Sequence, residues 1–146
     1  MRMGSQIPMR LFLLACTALS CCLLAGVASA QVVVANSGVK SSAISKGDLY
    51  DIFTGASNTF PDGSTAVPVL LKGGPAHEAF SKNYIGKADG FLRTAWMRLL
   101  FAGKCTMPKT FDSDTEVLQY VASTPGAIGY VGAPPEDPHV KTVTIK

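Results

Sequence analysis

The hydrophobic and polar positions along the chain divide it into an apolar leader and a longer segment in which short apolar runs alternate with turns. In the leader, two arginines precede an uncharged, mainly apolar run from Leu11 to Val27, and the small-residue triplet Ala28-Ser29-Ala30 follows it. A basic start, an apolar core and an A-x-A triplet form the pattern of a cleaved secretory signal peptide. We therefore interpret residues 1–30 as a signal peptide that is removed near Ala30 on export.

Two other interpretations of the leader stay open. A transmembrane anchor needs about 20 strongly apolar residues, whereas this run is shorter and is diluted by Thr17, Ser20 and Gly26. A lipid anchor is suggested by Leu13-Leu14-Ala15-Cys16, which is similar to a lipidation box, although only five apolar residues directly precede the cysteine. The small-residue triplet favours cleavage over both.

In residues 31–146, four runs rich in apolar and β-branched residues predict strands, and stretches with helical spacing lie between them. The predicted strands are Gln31–Ala35, Thr65–Leu71, Ala127–Val131 and Val140–Ile145. The predicted helices begin after Ser45, at Pro75, after Asp89 and after Ser113. Strands separated by helices of this length indicate a single α/β domain, with a mainly parallel, mixed sheet and helices on both faces.

Local signals indicate where these helices begin and end. Ser45 with Asp48, and Ser113 with Glu116, have the spacing of capping boxes. Gly55 is placed to end the first helix. The helix that Asp89 would cap has one broad apolar face, formed by Leu92, Ala95, Trp96, Leu99 and Leu100. We expect this face, including the tryptophan, to lie in the core.

Removal of the leader changes the net charge and the cysteine count of the chain. The full chain has 13 Lys and Arg, 10 Asp and Glu, a net charge of +3 and four cysteines. Without the leader the net charge falls to about +1 and only Cys105 remains, so no intramolecular disulfide is expected. A nearly neutral domain argues against nucleic-acid or membrane binding through bulk charge, and any anion site has to be local. We expect Cys105 to be buried and unreactive.

Four motifs in this order resemble a known family. They are Asp48–Gly55, the Asp62-Gly63 turn, Phe101–Lys104 and Pro125–Val131. Together they resemble the phosphate-type substrate-binding proteins of ABC transporters over roughly residues 32–132, and especially the short exported relatives of about one lobe.

The resemblance implies one lobe of a type II periplasmic binding protein, in which two lobes close on a ligand. One lobe alone offers a shallow surface. Tight binding would then need a homodimer, a membrane transporter or another periplasmic protein. The implied destination is a bacterial periplasm.

The resemblance also places an anion-binding element at Lys72-Gly73-Gly74-Pro75-Ala76-His77. A helix amino terminus presents unpaired N–H groups to an anion, glycines allow close backbone approach, and Lys72 supplies a cation. Ser41 and Ser42, after the first predicted strand, could add hydroxyls at a neighbouring strand end. The candidate ligand-binding residues are therefore Lys72, Gly73, Gly74, Ala76, His77, Ser41 and Ser42.

An alternative for this loop is an ordinary Gly-Pro turn that starts a helix. Where the family is expected to have Ser-Gly-Thr, this chain has Gly74-Pro75-Ala76, so two hydroxyls and one N–H are missing. A protonated His77 in the first helical turn would oppose the helix dipole, which favours an ordinary surface histidine. The two interpretations stay open on sequence alone.

The functional prediction is an exported, non-enzymatic solute-binding-like protein that takes phosphate or a similar small oxyanion for an ABC uptake system. An enzyme needs a nucleophile with a base, paired carboxylates or a metal cluster, and the domain has one cysteine and two well-separated histidines, His77 and His139. Asp112, Asp114 and Glu116 are better explained as helix-cap residues than as metal ligands. The alternatives are an interaction module that has kept the fold and lost the ligand, and a hydrolase. No cofactor is expected.

Overall fold

The computed structural model describes residues 31–87 and 90–146. The predicted signal peptide and the predicted helix cap at Asp89 lie outside the described residues. The strands are β1 (Val32–Asn36), β2 (Ala43–Ile44), β3 (Val67–Leu71), β4 (Lys109–Phe111), β5 (Ala127–Val131), β6 (Val140–Thr142) and β7 (Thr144–Ile145). The helices are α1 (Lys46–Thr54), α2 (Pro75–Phe80), α3 (Phe91–Phe101) and α4 (Asp114–Ser123), and a π-helical turn (Ser81–Ile85) continues α2.

The main sheet is mixed and has five strands in the order β4-β3-β5-β1-β6. β3 is parallel to both of its neighbours, whereas β1 is antiparallel to β5 and to β6. β2 and β7 form a separate parallel pair. The expected α/β class with a mixed sheet is confirmed.

Helices cover both faces of the sheet, as the sequence predicts. Successive strand residues point to opposite faces, and on β5 a Cβ at Gly129 would meet Val117 of α4. The next residue, Tyr130, instead has its ring against Phe53 of α1 and Phe80 of α2. α4 therefore packs on one face, and α1 and α2 pack on the other.

The two predicted capping boxes hold helix starts in place. The Ser45 hydroxyl accepts the Asp48 N–H at 3.0 Å. At the start of α4, the Ser113 hydroxyl accepts the Glu116 N–H while the Glu116 carboxylate accepts the Ser113 N–H. These caps satisfy backbone donors that a helix start leaves unpaired.

Glycine is required where α1 meets α3. Gly55 ends α1 with φ +81°, and a Cβ there would come within 2.3 Å of Leu99 Cδ1. Trp96 is buried as predicted, and its indole N–H donates to the Phe53 carbonyl at 2.8 Å. The end of α1 is thereby fixed against the apolar side of α3.

Parts of the sequence prediction are wrong in detail. The strand predicted over Val140–Ile145 is divided between two sheets, β6 and β7. On α3, Leu100 is 38% exposed and Phe101 is 80% exposed, so the predicted apolar face ends before Leu100. Cys105 is partly exposed because it lies in the loop after α3.

Among the described residues, none of the helices has the length and apolar character needed to cross a membrane.

Candidate functional site

A cleft of about 640 Å³ opens beside the carboxyl end of β3. It is bounded by β3, by α2 with its π-helical turn, by the first turn of α3 and by the segment leading into β4. The described residues that line it are Leu70, Leu71, Lys72, His77, Ser81, Ile85, Gly90, Phe91, Leu92, Arg93, Met107 and Thr110. The cleft brings two residues of the predicted loop, Lys72 and His77, to the same space as Arg93.

Tyr130 anchors His77 at this cleft. Tyr130 is buried, with 1% exposure, and its ring stacks on the ring of Phe80 with 3.9 Å between the centroids. The Tyr130 hydroxyl accepts the Leu71 N–H at 3.1 Å and lies 2.6 Å from His77 Nδ1. The hydroxyl keeps its proton and a second lone pair, so it donates to His77 Nδ1 or accepts from it according to the imidazole tautomer. His77 is partly buried.

Burial also determines the protonation of this tyrosine. Desolvation of the anionic form raises the pKa of Tyr130 above its ordinary value, and the hydrogen bond from Leu71 opposes that shift only in part. The hydroxyl is therefore neutral at physiological pH. It contacts the imidazole of His77 through Nδ1.

Lys72 lies at the exposed side of the cleft. Its Nζ is 3.0 Å from Asp112 Oδ2, and the two side chains are 57% and 71% exposed. An ion pair in such an exposed position contributes about 0–1 kcal/mol. An anion in the cleft can therefore compete with Asp112 for the lysine at small energetic cost.

The glycine loop has the geometry of a helix start. Gly74 is the N-cap of α2 with φ +93°, and its carbonyl accepts the Glu78 N–H at 3.0 Å. Pro75 occupies the first helical turn, where its missing N–H costs no hydrogen bond. Gly73, Gly74 and Ala76 stand beside the cleft and do not line it. The predicted loop therefore contributes its two ends, Lys72 and His77.

Ser41 and Ser42 are not brought to this loop. β1 is antiparallel to β5 and β5 is parallel to β3, so the carboxyl ends of β1 and β3 lie at opposite edges of the sheet. The Ser42 carbonyl accepts the Thr144 N–H, which places this serine beside β7. The prediction of hydroxyls at a neighbouring strand end fails because it assumed a parallel first strand.

Four polar residues at or behind the cleft are absent from the site prediction: Ser81, Arg93, Thr110 and Tyr130. Arg93 is an exposed residue of α3. Tyr130 belongs to a strand that is wholly buried, where the pattern indicates core. No local signal marks either residue, because α3 and β5 reach the cleft only through the tertiary fold.

Carboxylates near α4 accept hydrogen bonds from backbone N–H groups. Glu116 Oε2 accepts the Asp112 and Ser113 N–H groups, and Asp114 Oδ2 accepts the Gly132 N–H at 2.8 Å. Within residues 31–87 and 90–146, no group of three or more His, Cys, Asp and Glu side chains could hold a metal ion.

Comparison with known proteins gives a fold match but no sequence match. No family model and no curated protein matches the chain. A phosphate-bound ABC-transporter substrate-binding protein from Clostridium perfringens superposes with a TM-score of 0.59 at 17% identity, over 79% of this chain and 44% of that one. PstS from Borrelia burgdorferi gives 0.60 at 14% identity, over 80% and 47%. An ABC-type phosphate transport receptor from Vibrio cholerae gives 0.57 at 14% identity, over 79% and 45%.

These likenesses define the class of fold. The chain has the α/β fold of one lobe of a periplasmic-binding-protein-like structure. It spans less than half the length of the solved structures that it resembles.

Proposed function

We propose that residues 31–146 form an exported, non-enzymatic solute-binding domain that takes phosphate or a similar small oxyanion and serves an ABC uptake system in the periplasm. The observation that carries the proposal is that Lys72 and Arg93 line one cleft beside the β3–α2 loop. The fold supports it, because the proteins of similar structure bind or transport phosphate by description.

The side chains around the cleft suit an oxyanion. Arg93 offers a planar set of N–H donors that can bind two oxygens at once. Lys72 adds a second positive charge, and Ser81 and Thr110 add hydroxyls. His77 lines the same cleft, with its Nδ1 2.6 Å from the Tyr130 hydroxyl. These donors replace the hydroxyls that are missing from Gly74-Pro75-Ala76.

The cleft is open on one side, which fits a domain of about one lobe. A ligand on a single lobe keeps part of its surface in water, and this limits its affinity. We propose that a second copy of the chain or the transporter covers the ligand. Binding without chemistry is favoured because the solved structures of similar fold are, by description, a substrate-binding protein and a transport receptor.

Thermal unfolding with added anions tests the proposal. At about 100 times its dissociation constant, phosphate should add about 2.7 kcal/mol to the free energy of unfolding and raise Tm. Arg93→Gln and Lys72→Gln should each reduce this increase. Arg98→Gln is the matched control, since Arg98 is an exposed arginine of the same helix that does not line the cleft.

Two results would contradict the proposal. One is a Tm that does not respond to phosphate, sulfate or small carboxylates. The other is an equal loss of the response in Arg98→Gln and Arg93→Gln, which would indicate nonspecific charge effects.

A second candidate is an interaction module. Phe101 is 80% exposed and the neighbouring Leu100 is 38% exposed, and exposed apolar residues that lie together are typical of contact surfaces. Sedimentation of the wild type and of Phe101→Ser over a range of concentrations tests this candidate. Self-association that Phe101→Ser abolishes would support it, and a monomer at every concentration would remove self-association as its basis.

A further inference from the structure

The cleft beside β3 is apolar in its depth and polar at its mouth. Leu70, Leu71, Ile85 and Leu92 form its floor and are only 4–6% exposed. Phe91 and Met107 are partly exposed and form apolar walls.

The two cations and Thr110 lie at the mouth of the cleft. Lys72, Arg93 and Thr110 are exposed, so they lie at the rim of the cleft. A site for a bare inorganic anion has donors on all sides, because every oxygen that leaves water needs a hydrogen-bond partner. Here the cations can surround one end of a ligand, and His77 and Ser81 line a partly buried side of the cleft. The apolar floor offers nothing to oxygens at the other end of a ligand.

The size of the cleft leads to the same conclusion. Its volume of about 640 Å³ lies within the range of about 300–1,000 Å³ that is typical of sites for organic small molecules. Inorganic phosphate has five heavy atoms and leaves most of this space to water lying against leucine, isoleucine and methionine side chains. An apolar group in that space would gain the free energy of releasing this water.

We propose that the ligand is an amphipathic organic oxyanion, with a phosphate or carboxylate head between Lys72 and Arg93 and a short alkyl or aryl body on the Leu71–Met107 side of the cleft. This inference rests on the proposed function, because it assigns the same rim cations to the head. It departs from that proposal in making inorganic phosphate the weaker ligand.

Calorimetric titration with two homologous series tests the inference. One series is inorganic phosphate, methyl phosphate, butyl phosphate and phenyl phosphate, and the other is acetate, butyrate, hexanoate and benzoate. A fully buried methylene should tighten binding about fourfold. Butyl phosphate has three more methylenes than methyl phosphate, so it should bind about tenfold to 60-fold more tightly, according to how completely they are buried. Comparison of the two series shows which head the rim prefers.

A pair of variants locates the apolar body. Met107→Gln keeps the length of the side chain but makes one wall of the cleft polar, so it should remove most of the gain from methyl to butyl phosphate. Its circular dichroism spectrum and its urea midpoint, compared with those of the wild type, confirm that the variant is folded. Leu100→Gln is the matched control, since Leu100 is a partly exposed apolar residue that does not line the cleft.

The outcomes separate this inference from the proposed function. If inorganic phosphate binds in an Arg93-dependent manner and the esters bind no more tightly, the proposed function holds and the amphipathic ligand is rejected. If the gain along the series is the same in Met107→Gln as in the wild type, the apolar body does not lie in this cleft and the inference is overturned. If neither series nor inorganic phosphate binds, both proposals fail.

Discussion

Replacing Tyr130 with phenylalanine removes one oxygen atom from the centre of the candidate site. That oxygen accepts the Leu71 N–H at 3.1 Å and lies 2.6 Å from His77 Nδ1. The ring itself should remain stacked on Phe80, because the stacking at 3.9 Å does not involve the hydroxyl. The substitution therefore isolates the hydrogen bonds from the packing.

The expected cost follows from what the substitution leaves unpaired. Leu71 is 4% exposed, so its N–H loses its acceptor in a place with little access to water. A buried donor left without a partner costs about 1–3 kcal/mol, and the greater apolarity of phenylalanine offsets part of this. We expect Tyr130→Phe to lower the free energy of unfolding by about 1–2 kcal/mol.

Urea denaturation followed by circular dichroism measures this difference, with Tyr120→Phe as the control. Tyr120 is partly buried against Phe111, and its hydroxyl has no hydrogen bond to the described residues. A loss below about 0.5 kcal/mol in Tyr130→Phe, or an equal loss in both variants, would refute the view that this hydroxyl satisfies a buried donor. Weaker phosphate binding in Tyr130→Phe alone would further support its role in orienting His77.

Three further predictions concern alkaline stability, backbone conformation and export. Because burial raises the pKa of Tyr130 in the folded state, the unfolded chain loses this proton first. The contribution of Tyr130 to the free energy of unfolding is complete below about pH 10, and above that pH it falls by up to about 1.4 kcal/mol per pH unit. Between pH 9 and pH 11 the urea midpoint should therefore fall less in Tyr130→Phe than in the wild type. Gly55→Ala should lower the free energy of unfolding by about 2–4 kcal/mol, because it adds a clash with Leu99 to the strain of a left-handed backbone. Gly63→Ala should lower it by only about 1–2 kcal/mol, because Gly63 has φ +84° but open space around it. Equal losses of stability in urea denaturation would contradict the role of the clash. Expression of the full chain in a bacterium should yield a periplasmic protein whose first residue by mass spectrometry is Gln31, and retention of the leader would contradict cleavage.

The parts of the fold that the sequence predicts well are those that neighbouring residues determine. Ser45 and Ser113 act on N–H groups three residues away, so their spacing alone identifies the starts of α1 and α4. The α/β class follows in the same way from alternating runs. By contrast, β4 has three residues, of which Lys109 and Thr110 are exposed, and so it lacks the apolar run that marks a strand.

Features that depend on distant pairing are not predictable from local pattern. Nothing in Val32–Asn36 distinguishes a strand that will run antiparallel to β5 from one that will run parallel to it. That one difference separates Ser41 and Ser42 from the site. The loop from Lys72 to His77 could be located because it follows a strand and starts a helix, whereas Arg93 and Tyr130 join it only when the helices and the sheet have packed.

The antiparallel position of β1 in the interior of the sheet also constrains how the domain is assembled. Val33 pairs with Tyr130 on one side, and Asn36 pairs with Val140 on the other. Because synthesis runs from the amino terminus, both hydrogen-bonding edges of β1 lack their partners until β5 and then β6 have been made. Contacts this distant in sequence slow folding. The interior of this sheet is therefore completed only when β5 and β6 pair with a strand made long before them.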